Sequence, residues 1–489
     1  MLGSARWVGE LAQRYPAREI TPLTPWFANI SIHDVEITGC STLVDVSALP
    51  EKPVKNFFFG NVKAHCDRIG KICDATKFSM KDVRIESCDT VMRIDNCDYA
   101  SFFGFSNVTT GSSVKIEKTG GECRYLNVQT YPLVPVNYQS IRPGEVWLDT
   151  EGKPIQAHGF QVTFREGKYY WYGEDKTHTL FGTNRMFGGV RCYSSTDFYN
   201  WKDEGRIIEP ATDPHSPLHH CQKLERPHIL YCAKTGRYVC WLKSQSNDGH
   251  FVILEAEHFM GPYHFVRNLK PNGFAVGDFD MYADPDTGKG YVWFERPHWE
   301  QICAELSDDY TNVNGRYSEH FVGKVPPFTR EAAAHFVMDG KHYIYTSGTT
   351  SYTPNPSEVA VFDDYHGEYT VLGNPHIGDE YAHSFCSQIT SVIKIPGKDL
   401  YVAMADRWLP HTNKTDIPKK DWQSFLTRYK DHRPYPKDFA TPKVADRFYT
   451  LVNPNQDVYK ATYVFLPIVV KDGIPMIEWK DEWKLENYE

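Results

Sequence analysis

The chain has no run of apolar residues long enough to span a membrane. Its first nineteen residues, Met1 to Glu19, hold neither an apolar stretch nor a small-residue cleavage site, so no signal peptide is expected in the sequence as it stands. It has no basic excess: 53 Lys and Arg stand against 62 Asp and Glu, giving a net charge of −9 with both signs mixed along the chain. A nucleic acid or an anionic membrane would need a basic face, so neither is an expected partner. Twelve cysteines are present, but no two have metal-ligand spacing such as C-x-x-C, and buried free thiols are expected rather than zinc sites or a disulfide framework. No amphipathic helix of convincing length interrupts the pattern.

What the chain does have is aromatic residues, 14% with 30 Tyr and 12 Trp, and repeats. Aromatic-rich, glycine-punctuated β chains often bind sugars, whose pyranose faces stack on rings. At 489 residues the chain exceeds one ordinary compact domain unless that domain is a repeat array.

Two repeats are legible. The first runs through Ile30-Ser31-Ile32-His33-Asp34-Val35, Phe57-Phe58-Phe59-Gly60-Asn61-Val62, Phe78-Ser79-Met80-Lys81-Asp82-Val83 and Phe103-Gly104-Phe105-Ser106-Asn107-Val108. The Asx positions are spaced 27, 21 and 25 residues apart. That period, with alternating strands and one fixed polar position, predicts a short right-handed parallel β-helix over residues 1–138 whose Asx side chains stack from coil to coil. An antiparallel sandwich is the competing reading. Tyr131 to Val136 reads as a linker.

The second repeat is a glycine turn followed by an aromatic, β-branched strand. It begins at Gly167, Gly236, Gly288, Gly340 and Gly397, spaced 69, 52, 52 and 57 residues apart. Five repeats of about 70 residues predict a five-bladed β-propeller over residues 139–489, again with a sandwich as the alternative. Tyr463 to Ile468 and Ile477 to Trp479 are expected to complete the last blade.

A glycoside hydrolase needs two carboxyl-type groups at fixed separation, one to protonate the leaving oxygen and one to activate water or attack. Candidates fall in different blades: Glu174, Glu225, Asp278, Asp280 and Glu331. Each also has a plain structural reading. Glu225 could pair with Arg226 or another base, and Asp284 and Asp286 read as a β-turn rather than a calcium loop. His215 and His219 have a zinc-like spacing but sit in a proline-containing loop, where the rings need not converge.

Nearly the whole of residues 140–489 resembles glycoside hydrolase family 43, and within it the exo-β-1,3-galactanase-like branch. The matching stretches include Gln156-Ala157-His158-Gly159, Tyr172-Gly173-Glu174, Glu225-Arg226-Pro227, Gly277-Asp278-Phe279, Arg330-Glu331-Ala332, Ser347-Gly348-Thr349-Thr350, Ser387-Gln388-Ile389-Thr390 and Ala405-Asp406-Arg407-Trp408. The coils before it resemble the C-terminal end of the β-helix in family 28 polygalacturonases, without that family's acidic cluster. The resemblance implies an inverting hydrolase with Glu331 as general acid and Asp278 as the aspartate that orients it. The first-blade aspartate common in family 43 is absent, and Gln388 matches the glutamine implicated in holding water, with Glu225 as the alternative base. It further implies sugar contacts from Glu174, His158, Tyr172, Asp280, Thr349, Arg407 and Trp408. No metal or cofactor is expected. The expected partner is a polysaccharide or oligosaccharide, the expected state a monomer, and the expected compartment periplasmic or secreted. The segment departs from the branch at Phe160-Gln161, Gly277 and Ser351-Tyr352, all expected near the sugar pocket. An α-L-arabinofuranosidase, a β-galactofuranosidase or a non-catalytic carbohydrate-binding propeller are the competing functions.

Overall fold

A computed structural model describes residues 16–124, 126–129, 136–177, 179, 186–245, 249–324, 328–350, 352, 354–408 and 458–489. The chain is all-β and divides into two compact units, residues 1–136 with 151–153, and 137–150 with 154–489. The expected linker at Tyr131 to Val136 lies, but for its last residue, outside the described residues.

The first unit is a β-solenoid of about four turns. Its strands pair in parallel, Ala28–Ser47 on Val54–Glu86 and the latter on Val91–Asp98, with partners 27 residues apart at Ile30↔Phe57 and 22 apart at Lys71↔Arg93. The predicted Asx stacking is present. Asn61 Nδ2 donates to Asp34 Oδ1 at 2.6 Å, and Asn56–Asn29 and Asn96–Asp74 repeat the contact at 2.8 and 2.6 Å. All six residues have φ between 47° and 58°. Asx residues tolerate this left-handed corner and answer its backbone with their own side chains. Asn107 departs from the ladder: its amide bonds the carbonyls of Ser87 and Asp89 instead. Inside, Phe57 and Phe78 stack at 4.9 Å over an apolar core.

The second unit is a five-bladed propeller of antiparallel sheets. The innermost strands are His158–Arg165, Leu224–Cys232, Phe279–Ala283, Arg330–Met338 and Gln388–Lys394. Each packs on the next, and the fifth returns to the first. The aromatic strands of the repeat are the second strand of each blade: Lys168–Glu174, Arg237–Ser244, Gly290–Glu295, Lys341–Gly348 and Tyr401–Arg407. Two of the repeat's glycine turns are two-residue hairpins, Glu166-Gly167 and Asp339-Gly340, with both residues at positive φ. That conformation matches the twist of the flanking strands, and glycine adopts it without steric cost. Thr462–Lys471 and Ile474–Glu478 complete the fifth blade as expected. Among the described residues no helix is long and apolar enough to cross a membrane. Among the described residues no disulfide links the cysteines, and seven of the twelve are buried.

Candidate active site

The innermost strands run in the same sense, so their first residues meet at one rim of the propeller. The second strands run back and end there too. Glu225, Glu331 and Gln388 stand at the starts of innermost strands, with Asp278 one residue before another. Glu174 ends a second strand, Lys243 sits one residue from such an end, and Trp408 follows one. With Lys176, Lys223, Arg226, Gln245 and Tyr352 these residues line a cavity of about 100 Å³, to which all five blades contribute.

Backbone irregularity aims them. The pairing register shifts between Glu225 and His228, between Glu331 and Ala334, and between Tyr172 and Glu174. Arg226 and Ala332 take φ of 53° and 49°, an uncommon conformation for residues with a Cβ. A bulge of this kind re-aims the residue before it, and bulges recur beside active sites.

Glu331 is only partly exposed, and its carboxyl is pushed well above the usual carboxylate range, first by burial and then by the negative charges of Asp278 and Glu295. Asp278 goes the other way. Burial alone would raise it, but Arg226 at 2.8 Å and Lys243 at 2.7 Å hold it ionised. Glu225 is likewise buried yet held far below its usual range by Lys243 at 2.8 Å, by Lys223 at 3.3 Å and by Lys176. Glu174 is pushed up by burial, against the opposing pull of its partner Lys176, and accepts the backbone N–H of Arg226 at 2.9 Å.

Gln388 has every hydrogen-bonding position engaged. Its Nε2 donates to Ser347 Oγ at 2.9 Å and to Glu331 Oε1 at 3.3 Å, while its Oε1 accepts from Arg226 at 2.7 Å and from the Trp408 indole at 3.3 Å. It therefore ties the acid candidate to the cation that holds Asp278.

The pocket thus brings together Glu331, Asp278, Gln388, Glu225, Glu174 and Trp408 of the residues expected from sequence. Five others do not line this cavity, and each engages its polar group in tying blades or loops together. His158 is fully buried, with Nδ1 2.9 Å from Asp406 and its ring stacked on Tyr463. Tyr172 accepts the Ile229 N–H at 3.0 Å from within an apolar cluster. Asp280 pairs with His228 at 3.0 Å and accepts the His335 N–H at 2.6 Å. Thr349 bonds Thr329 at 2.7 Å in the interior. Arg407 donates to the Phe385 carbonyl at 2.8 Å and lies over Trp479.

Of the departures from the branch, Tyr352 lines the pocket, Gly277 stands beside Asp278, Gln161 lies near His228 and Asp280, and Phe160 belongs to the core. Ser351 lies outside the described residues. Asp284 caps a turn by accepting from the N–H groups of Asp286 and Thr287, as expected. His215 and His219 do not form a ligand set among the described residues. His219 lies instead with its chain neighbours His220 and Cys221, their ligand atoms within 4.8 Å.

Sequence reasoning misses the cations and Glu295. It offers Arg226 only as a possible partner of Glu225, yet Arg226 pairs with Asp278. Glu295 ends the third blade's second strand, and its carboxyl lies against Gly277, where a Cβ would come within 2.1 Å of Oε2. Burial and the Asp278 charge lift it to about 7. The repeat itself carries a usable signal: Lys243 and Glu295 sit near the same strand end as Glu174.

Residues 160–392 match the sequence model of glycosyl hydrolases family 43. Over these residues the propeller is similar to that family. Two solved family 43 β-1,3-galactosidases are similar at 27% identity, one with a TM-score of 0.58 over 72% of this chain and 65% of its own, the other with 0.56 over 71% and 100%. An exo-β-1,3-galactanase from Clostridium thermocellum aligns at 25% identity and a TM-score of 0.53, over 70% of this chain and 66% of its own. The chain thus spans just under two thirds of the first of these hydrolases. A comparison with curated proteins gives no match.

Proposed function

We propose that this protein is a family 43 glycoside hydrolase, an exo-acting, inverting enzyme that releases galactose or a related sugar from a β-1,3-linked galactan, with Glu331 as general acid. The observation that carries the reading is Glu331 itself: a carboxyl kept protonated at the floor of a small pocket, beside an Asp278 kept ionised. Two neighbouring carboxyls whose environments drive them in opposite directions mark an acid and its electrostatic tuner. The likeness to β-1,3-galactosidases at 27% identity supports the substrate, and the smallness of the cavity supports attack at a chain end.

In this reading the terminal sugar enters over Trp408, and Glu331 gives its proton to the departing glycosidic oxygen. Water attacks the opposite face in a single displacement, with no covalent intermediate. Gln388 holds the Glu331 carboxyl and the Arg226 guanidinium in place. Glu225 is the ionised carboxylate on the wall that can take the proton of the attacking water.

The test is sugar release from β-1,3-galactan, arabinogalactan and aryl β-galactoside, arabinofuranoside and galactofuranoside substrates. Proton NMR of the first-formed anomer reports the stereochemistry. Glu331→Gln should lose ~10²–10⁴-fold in kcat, and Glu225→Gln should be partly rescued by azide with formation of an α-glycosyl azide. A β anomer as the first product would reject inversion. Unchanged glycan binding with no release by the native protein would leave only a carbohydrate-binding propeller.

A further inference from the structure

The cavity is small, about 100 Å³, so a sugar chain attacked at its end leaves most of its length outside. On the proposed reading, Glu331 sets the way out. An acid that protonates the departing oxygen stands on the departing chain's side of the broken bond. Glu331 is near the start of the fourth blade's innermost strand, Arg330–Met338, which packs on Phe279–Ala283 of the third. Asp278 and Glu295, both at the rim end of the third blade, act on it with their charges. The departing chain therefore runs out past the rim of the third blade.

That rim carries an exposed tryptophan. The third blade's second strand ends at Glu295 and its third begins at Gln301, so residues 296–300 form the turn between them on the pocket side. Glu295 ties this turn to the pocket wall, with backbone hydrogen bonds to Gly277 at 2.7 Å and Asp278 at 2.9 Å. Trp299, within the turn, is 62% exposed. Its setting is stiff. The Trp299 N–H donates to the Arg296 carbonyl at 2.8 Å, and the Arg296 N–H to the Glu300 carbonyl at 3.0 Å. The Arg296 guanidinium lies 5.2 Å from the centre of the Trp299 ring and 5.4 Å from that of Phe274, and it pairs with Glu300 at 2.9 Å. The indole is thus backed by a fixed cation and open to solvent elsewhere. An indole left in water forgoes the large stabilisation of burial. One already held in place loses little conformational freedom when a ligand stacks on it. A pyranose offers such a ring a flat face of C–H groups.

We propose that Trp299 is the platform for a sugar residue of the departing chain, outside the cavity, and that the preferred substrate is an oligomer or polymer rather than a disaccharide. The inference rests on the reading of Glu331 as the acid. Binding energy gained at Trp299 is remote from the bond that breaks, and only a chain long enough to reach the turn realises it.

The experiment measures kcat/KM on β-1,3-linked galactobiose, galactotriose, galactotetraose and galactohexaose. A step of ~3–10-fold is expected at the length that first reaches Trp299. Trp299→Ala should remove the step, and Trp299→Phe, which keeps a ring, should retain most of it. If the native protein cleaves all four equally well, or if the step survives in Trp299→Ala, the inference is overturned and the proposed hydrolysis stands. If the native protein cleaves none of them, the galactan reading of the function falls. Calorimetric binding of galactohexaose to the native protein and to Trp299→Ala then decides the inference. Weaker binding by the variant upholds the platform, and equal binding, or none to either, ends it.

Discussion

A carboxylic acid that must donate a proton near neutral pH has to be kept from ionising before substrate arrives. At Glu331 the means are burial and two like charges, Asp278 and Glu295. Lys243 and Arg226 oppose the shift but are engaged on Asp278. The direction of the shift fixes the sign of the pH dependence. In the proposed role Glu331 must be protonated, so activity should be lost as pH rises through a carboxyl lying above the ordinary range. Glu225 and Asp278, both held low, stay ionised well into acid, so the acid limb lies far down. Glu295, lifted to about 7, is partly ionised across neutrality and strengthens the protonated form of Glu331 as it ionises. Glu295→Gln removes that charge. The alkaline limb of kcat/KM should then move to lower pH, while the acid limb stays. An unchanged alkaline limb would show that burial and Asp278 alone set the acid. The repeat marks the strand end at Glu295 but not its surroundings, because a glutamate closing a strand carries no mark of what it packs on: its carboxyl accepts the His298 N–H at 2.8 Å and lies against Gly277.

Strands and turns are legible because their signals are local. A glycine turn before an aromatic strand fixes a hairpin whatever the rest of the chain does, and the Asx corners of the solenoid depend on the residue's own tolerance of positive φ. The bulges are not legible, since nothing in Glu225-Arg226-Pro227 or Arg330-Glu331-Ala332 announces one. Five expected sugar contacts stand outside the cavity lining for a related reason: His158, Tyr172, Asp280, Thr349 and Arg407 lie on strands or strand ends next to the pocket, where one step of the pleat separates rim from interior. The bulge at Ala332 gives a test at this scale. Its φ of 49° is strained for any residue with a Cβ, more so for a β-branched one. Ala332→Val should destabilise the protein by ~1–3 kcal/mol in denaturant titration and lower kcat by displacing Glu331. Ala332→Gly should cost nothing or stabilise slightly. Equal stability of the two variants would mean that the backbone relaxes there and that the bulge does not aim the acid.

Among the described residues each blade of the propeller is built from one stretch of chain, and no strand shared between the two ends locks the ring. Closure therefore falls on the seam between the fifth blade and the first. There the backbones of Ile141 and Trp483 exchange hydrogen bonds of 2.8 and 3.0 Å, and the Gly144 N–H reaches the Tyr463 carbonyl at 2.7 Å. Asp406 lies in the interior of that seam, fully buried. Its Oδ1 meets His158 at 2.9 Å and its Oδ2 accepts the Gly159 N–H at 2.8 Å. A buried carboxylate with both oxygens answered across a seam is costly to disturb, because its partners stay buried without it. The seam also carries part of the site: Gln388 and Trp408 belong to the fifth blade, as Asp406 does, and Glu174 and Lys176 to the first or just after it. Asp406→Asn should thus lose ~1–3 kcal/mol of stability and reduce kcat/KM, although it touches no substrate. Asp406→Ala should lose more. If Asp406→Asn unfolds at the same denaturant concentration as the native protein but is inactive, Asp406 acts on the chemistry rather than on closure of the ring. If both stability and activity are retained, the backbone bonds at Ile141 and Trp483 close the propeller without it.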